Sequence, residues 1–130
     1  TRVNSLGLSQ RICFAGTVEN PQREYQQADV FVLPSRFEGY GMVFAEALAA
    51  GLPIIAARAG AVPEVVPKAA GLLVSPDNTE ALTEALQQVL TSGSLRHRLQ
   101  TGARQAAAKL PSWADCATLV ANKLKEVATP

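Results

Sequence analysis

Two glutamates, Glu38 and Glu46, flank a glycine-spaced turn, with seven residues between them. The unbroken apolar run at residues 30–33 leads into this turn, and a helix-forming segment rich in apolar residues leaves it. Glu46 falls inside that apolar segment, where we expect its carboxylate to be buried. A buried carboxylate is unfavourable unless a polar group meets it. The pattern therefore predicts that a ligand supplies the partner of Glu46.

The turn itself has the composition of an anion site. Gly39 and Gly41 let the backbone approach a ligand closely and adopt positive φ where needed. Free N–H groups at the start of the following helix, around Gly41 to Val43, would bind a phosphate with help from the helix dipole. Glu46, about one turn further on, would repel a bare phosphate but can accept hydrogen bonds from the vicinal hydroxyls of a ribose.

These residues together predict a nucleotide pose. The diphosphate would lie at the helix start and the ribose on Glu46, with Glu38 facing whatever is attached beyond the phosphates. Two plainer interpretations stay open at this point. The glycines alone would make an ordinary turn, and Glu46 would be either a surface residue or the partner of Arg36 or Arg58.

The elements that must position these residues alternate along the chain. Short apolar runs without polar alternation indicate strands covered on both faces, hence a parallel sheet. Such runs predict strands at residues 30–33, 54–57 and 72–74, and alternation around Ile12 and Phe14 predicts another at 11–15. Helices are predicted at residues 20–28, 41–50, 79–90, 94–110 and 112–127. Alternating strands and helices predict one α/β domain of Rossmann type over residues 1–130.

Three finer expectations concern single residues. Asp77 and Glu80 look like a capping pair for the helix that begins at Thr79. The last helix carries an apolar stripe that we expect to face the core, comprising Trp113, Cys116, Val120 and Leu124. Cys13 and Cys116 both have apolar neighbours in the sequence and are expected to be buried, without a role in binding metal.

Composition excludes several classes of function. The 130 residues carry a net charge near +1, which argues against nucleic acid as a partner. The apolar runs are too short for a membrane span. His97, the single histidine, lies between two arginines and is expected to be solvated, so no metal site is predicted.

One stretch resembles a known family signature. Residues 28–53 read A-D-V-F-V-L-P-S-R-F-E-G-Y-G-M-V-F-A-E-A-L-A-A-G-L-P. They resemble the retaining glycosyltransferases of family four and relatives, which include glycogen synthases, sucrose synthases and bacterial mannosyltransferases and share the GT-B fold. The mark of that family, Glu-x7-Glu, is met by Glu38 and Glu46. R-I-C-F-A-G-T-V, A-G-A-V-P-E-V-V and A-G-L-L-V extend the likeness over nearly the whole chain.

The resemblance implies a role for each matching residue. Glu46 would hold the ribose of a nucleotide-sugar donor such as a UDP- or GDP-sugar, and Glu38 would act at the transferred sugar as the catalytic residue. No cofactor or metal is implied. The remaining implied donor contacts are Gly39, Tyr40, Gly41, Met42 and Val43 along the sugar, diphosphate and nucleotide, Val18 under the base, and Arg23 as a basic neighbour. Ala61, where relatives have a second glycine, and residues 68–70 depart from the family pattern.

The resemblance covers only the later part of the C-terminal, donor-binding domain. An N-terminal acceptor domain, and the opening strands whose loop carries cations for the leaving diphosphate, are not in these residues. We therefore expect no transfer by this chain alone. An unpaired strand edge should also drive a non-native oligomer, which light scattering would detect. The implied location is cytoplasmic, with a position at the inner membrane face and a membrane-surface acceptor left open.

Rival interpretations keep some of these features. A non-catalytic nucleotide-binding module would share the fold, although the presence of both glutamates argues against a degenerate site. A GT-B relative such as a phosphorylase would need a lysine in a pyridoxal-phosphate context, which the lysines here lack. A nucleotide-sugar epimerase stays open. A flavodoxin-like signalling domain would need clustered aspartates, which this sequence does not show.

Overall fold

The structure, a computed structural model, describes residues 1–39 and 41–128. Seven helices and three strands are found in these residues. In chain order they are α1 (Arg2–Ser5), α2 (Pro21–Gln27), β1 (Phe31–Leu33), α3 (Met42–Ala49), β2 (Ile54–Ala57), α4 (Val62–Val65), β3 (Gly71–Val74), α5 (Thr79–Thr91), α6 (Gly93–Ala107) and α7 (Trp113–Ala128).

The three strands form a parallel sheet in the order β1-β2-β3. Phe31 stands opposite Ile54, and Ile54 stands opposite Gly71 on the other side. All four residues of β2 are buried, as the apolar run without alternation predicts for a central parallel strand. The three strands predicted around residues 30–33, 54–57 and 72–74 are confirmed, and so is the α/β class.

Helices cover both faces of the sheet. On one face, Ile54 and Ala56 of β2 pack with the apolar residues of α3 and α4 and with Ala103 of α6. On the other face, Ile55 packs with Ala85 and Val89 of α5 and with Leu99 of α6. Because successive side chains of a strand point to opposite faces of the sheet, β2 contributes to both hydrophobic cores. This gives the layered Rossmann-like arrangement.

The strand predicted at residues 11–15 is wrong. These residues adopt no strand, and Ile12 and Phe14 are 42% and 74% exposed. A strand is stabilised only by pairing with a neighbour, and within the described residues no strand adjoins this segment. The outer edge of β1 is likewise unpaired in the described residues, and Val32 is 37% exposed there.

Helix α7 forms, but its apolar stripe does not face the core. Trp113 is 81% exposed, and Val120 and Leu124 are also exposed. The prediction that Cys13 and Cys116 are buried is wrong as well, because both thiols are free and exposed. Local capping starts the helix, and none of its residues is buried. Within the part of the chain that the structure describes, no helix is both long enough and apolar enough to cross a membrane.

The start of α7 is a reciprocal capping box. The Asp115 carboxylate accepts hydrogen bonds from the side chain and the backbone N–H of Ser112, at 2.7 and 2.8 Å, and the Asp115 N–H returns one to Ser112 Oγ. These bonds favour the charged form and lower the pKa of Asp115. Helix α5 is capped by a different residue from the one predicted. The side chain of Asn78 accepts a hydrogen bond from the Ala81 N–H, whereas Asp77 has another partner, described below.

Candidate functional site

The loops that follow all three strands meet at the carboxyl edge of the sheet. Arg36, after β1, forms an ion pair of 2.8 Å with Asp77, after β3. The carbonyl of Glu38 accepts a hydrogen bond of 3.2 Å from the N–H of Ala61, after β2. Both side chains of the ion pair are exposed, so the pair adds little stability, whereas the backbone contact sets where Glu38 lies. Ligands of open α/β sheets bind at this edge.

Gly60 makes the approach to Glu38 possible. Its backbone is left-handed, with φ of 54°, and a methyl group there would overlap the Glu38 carbonyl. Only glycine satisfies both conditions without strain. Ala61, which departs from the family pattern, has an ordinary φ of −82° at the amino end of α4, so its methyl group is accommodated.

Helix α3 begins directly after the glycine-spaced turn, as predicted. Gly41 precedes the helix in a left-handed conformation, with φ of 64°, whereas Gly39 does not have positive φ. No side chain of the described residues caps this helix start, so its first amides are available to an anion. Met42 is 54% exposed beside them, while Val43 packs partly against the core. Tyr40 lies outside the described residues.

Glu46 is exposed, so the expectation of a buried carboxylate is wrong. Helix α3 turns Phe44, Ala47 and Leu48 inward and leaves Glu46 on the side that faces α2. Its Oε2 accepts a hydrogen bond of 2.9 Å from the hydroxyl of Tyr25. Of the two alternative partners considered, Arg36 binds Asp77. No ion pair joins Glu46 to Arg58 within residues 1–39 and 41–128.

Tyr25 is fixed by a chain of aromatic contacts. Its ring lies 5.8 Å from that of Phe31, which in turn meets Phe44 edge-on at 5.8 Å. Burial of the phenol raises the pKa of Tyr25, and the hydrogen bond to the Glu46 carboxylate raises it further. The hydroxyl is therefore a proton donor throughout the neutral range.

A cavity of about 540 Å³ opens beside this pair, a size that suits a small organic ligand. Asn20, Pro21, Gln22, Tyr25, Gln26, Glu46, Ala49 and Ala50 line it. The structure thus places Glu46 in a cavity but does not place Glu38 in the same one. Val18 is half-buried and Arg23 is exposed, and neither lines the cavity.

The sequence reasoning missed Tyr25 and the polar wall that α2 contributes. One signal was available: tyrosine in a short amphipathic helix usually buries its ring and directs its hydroxyl to a polar partner. The identity of that partner was not readable, because Glu46 lies on a different helix, beyond a strand and a loop.

Comparison with known proteins gives a consistent result. Residues 1–106 match the family described as Glycosyl transferases group 1. The sulfoquinovosyl transferase SQD2 of Arabidopsis thaliana is 33% identical over 116 residues, which are 85% of this chain and 22% of that protein.

Two solved structures share the fold. A sucrose-phosphate synthase from Thermosynechococcus elongatus has a TM-score of 0.87 at 30% identity, over 97% of this chain and 32% of that one. The C-terminal domain of LpcC, a glycosyl transferase group 1 family protein from Francisella tularensis, has a TM-score of 0.73 at 27% identity, over 82% of this chain and 57% of that one. The chain spans less than a third of the SQD2 and sucrose-phosphate synthase lengths.

The family resemblance and the GT-B type of fold inferred from the sequence are both confirmed by these matches. A family model that covers residues 1–106 of a 130-residue chain includes the whole sheet and the loops at its carboxyl edge. The chain therefore belongs to the group 1 glycosyltransferase family.

Proposed function

We propose that these residues form the donor side of a retaining glycosyltransferase that moves a sugar from a nucleoside-diphosphate sugar, such as a UDP- or GDP-sugar, to an acceptor. The single observation that carries the proposal is the position of Glu46. It lies one turn along α3 from an uncapped helix start and lines a cavity of nucleoside size. A carboxylate in that place accepts hydrogen bonds from ribose hydroxyls and does not compete for the diphosphate.

The neighbouring residues support the same assignment. The amides that follow Gly41 would bind the diphosphate, with the exposed side chain of Met42 beside it. Glu38, whose carbonyl is anchored on Ala61, would meet the transferred sugar. Gly39, Tyr40 and Val43 stay predicted donor contacts, as do Val18 under the base and Arg23. No cofactor or metal enters this proposal.

Transfer also needs groups that these residues do not supply. Negative charge develops on the leaving diphosphate and must be met by preorganised cations. Arg36, which lies two residues before Glu38, is already paired with Asp77. We therefore propose that the 130 residues alone are inactive, and that an acceptor-binding domain elsewhere in the natural polypeptide completes the enzyme.

The unpaired edge of β1 leads to a prediction about the isolated 130-residue chain. An open edge on a short parallel sheet, on which Val32 is partly exposed, is a template for pairing with a second chain. We expect multi-angle light scattering to show a dimer or larger species. Val32→Lys, which places a charge on the edge strand, should shift the distribution toward monomer. A monodisperse monomer of the unchanged chain contradicts the prediction.

The proposed function is tested on Glu46 in the polypeptide in which the chain naturally occurs. We expect Glu46→Ala to raise the Kd of the preferred nucleoside diphosphate, chosen from UDP, GDP and ADP by calorimetry, by about 10- to 100-fold, since hydrogen bonds to a charged group are lost. Glu24→Ala, which removes an exposed carboxylate of α2 that does not line the cavity, is the matched control. Unchanged affinity in Glu46→Ala would rule out the ribose assignment.

A further inference from the structure

We propose that Tyr25 is a positioning residue for the ribose-binding carboxylate: its hydroxyl occupies Oε2 of Glu46 and thereby directs Oε1 toward the vicinal hydroxyls of the donor ribose. This inference rests on the proposed function, because it assigns a second residue to the same site. It concerns a group that contacts the nucleotide only through Glu46.

The geometry of the pair leaves one oxygen for a ligand. The Tyr25 hydroxyl lies 2.9 Å from Oε2, a good hydrogen-bond length. Within residues 1–39 and 41–128, no hydrogen bond reaches Oε1. A carboxylate has about four acceptor positions, so a ribose diol can still bind when the phenol occupies one of them. Tyr25 and Glu46 line the same cavity, where such a diol would arrive.

An exposed glutamate needs an external constraint to hold one orientation. Three rotatable bonds give its side chain many rotamers, and ordering them on ligand binding costs free energy. Tyr25 is suited to provide that constraint because its own position is set by rings, through Phe31 to Phe44. Phe44 is fully buried and lies on α3, two residues before Glu46. Ring contacts therefore connect α2 to β1 and β1 to α3, and the hydrogen bond from Tyr25 to Glu46 connects α3 to α2 directly.

The protonation states match this role. A raised pKa keeps the phenol protonated, so it donates to the carboxylate and does not repel it. The hydrogen bond is charge-assisted and stronger than a neutral one. Preorganisation of this kind increases the contribution of the ribose hydroxyls to the binding affinity and leaves the contributions of the base and the phosphates unchanged.

The test is Tyr25→Phe in the natural polypeptide, because this change keeps the ring and removes only the hydroxyl. We expect the Kd of the preferred nucleoside diphosphate to rise by about 3- to 10-fold, the scale of one such hydrogen bond. The affinity for the 2′-deoxy form of the same nucleotide, which lacks one ribose hydroxyl, should fall much less on the same substitution. Gln27→Ala, on the same helix and outside the cavity, should leave both affinities and the thermal midpoint unchanged.

A double-mutant cycle with Glu46→Ala separates the possible failures. If Tyr25→Phe acts through Glu46, it has no further effect in the Glu46→Ala background. Equal weakening of the ribose and deoxyribose forms would overturn the positioning role, since general loosening of α2 affects both alike. If Glu46→Ala weakens binding and Tyr25→Phe does not, this inference fails and the proposed function stands. If Glu46→Ala itself changes nothing, the proposed function fails.

Discussion

Replacing Glu38 by glutamine is expected to lower kcat for sugar transfer in the natural polypeptide by at least about 100-fold, the usual scale for removing one group that stabilises transition-state charge. Glycosyl transfer passes through an oxocarbenium-like state, and a carboxylate beside the reacting carbon stabilises that positive charge. Glutamine has nearly the same shape. It also leaves untouched the Glu38 carbonyl, which is what Ala61 binds.

The measurement is a pair of numbers for each variant: kcat with saturating donor, and the Kd of the preferred nucleoside diphosphate. We expect Glu38→Gln to change Kd by less than about threefold, because an interaction made only in the transition state affects kcat and not ground-state binding. Glu64→Gln, on nearby α4, is the matched control and should behave as the unchanged protein. A fall of less than tenfold in kcat, or a matching loss of affinity, contradicts a catalytic role for Glu38.

The second large effect is expected from Gly60→Ala. A side chain at left-handed φ costs about 1 to 2 kcal/mol by itself. The new methyl group also overlaps the Glu38 carbonyl, so the loop must move. We expect a total loss of about 3 kcal/mol or more in the free energy of unfolding, in the range of overpacking combined with backbone strain.

Gly7→Ala is the matched control for this change. Gly7 has φ of 67°, comparable to the 54° of Gly60, but open space where a methyl group would lie. Chemical denaturation of both variants therefore isolates the cost of the contact with Glu38. Gly60→Ala should also lower kcat, because a displacement of about 1 Å at a reacting group can cost 100-fold in rate. Equal destabilisation of the two variants would show that Gly60 does not hold the Glu38 loop.

The structure accounts for one departure from the family pattern, at Ala61. Ala61 replaces a glycine where the backbone is right-handed, so the substitution needs no compensation. The glycine that the geometry requires, Gly60, is retained. The distinction depends on φ, which the sequence alone does not display.

Much of the fold was predictable because it depends on local pattern. Apolar runs of three to four residues are covered on both faces, so β1, β2 and β3 could be placed within one residue. The helix after Gly41 was equally readable from the glycine-spaced turn that starts it and the Gly51-x-Pro53 that ends it. The pattern Glu-x7-Glu then identified Glu38 and Glu46 as candidates without any coordinates.

The predictions that proved wrong share one cause. Whether a strand is paired or a helix face is buried depends on the element that packs against it, which is distant in the sequence. Residues 11–15 have the alternation of a strand, but they have no neighbouring strand among the described residues and stay exposed. Helix α7 has an apolar stripe, yet no part of the described core lies against it. Periodicity shows which face of an element is apolar and does not show that another element covers it.

By itself, the sequence determined the positions of β1, β2 and β3, the helix that follows the glycine-spaced turn, and the two glutamates that flank this turn. Those features depend on the preferences of neighbouring residues. Only the tertiary structure decided that Glu46 faces α2 and bonds to Tyr25, that Gly60 supports Glu38, and that Asp77 holds Arg36. Each of those contacts joins residues that are distant in the chain, and the packing of helices on the sheet brings them together.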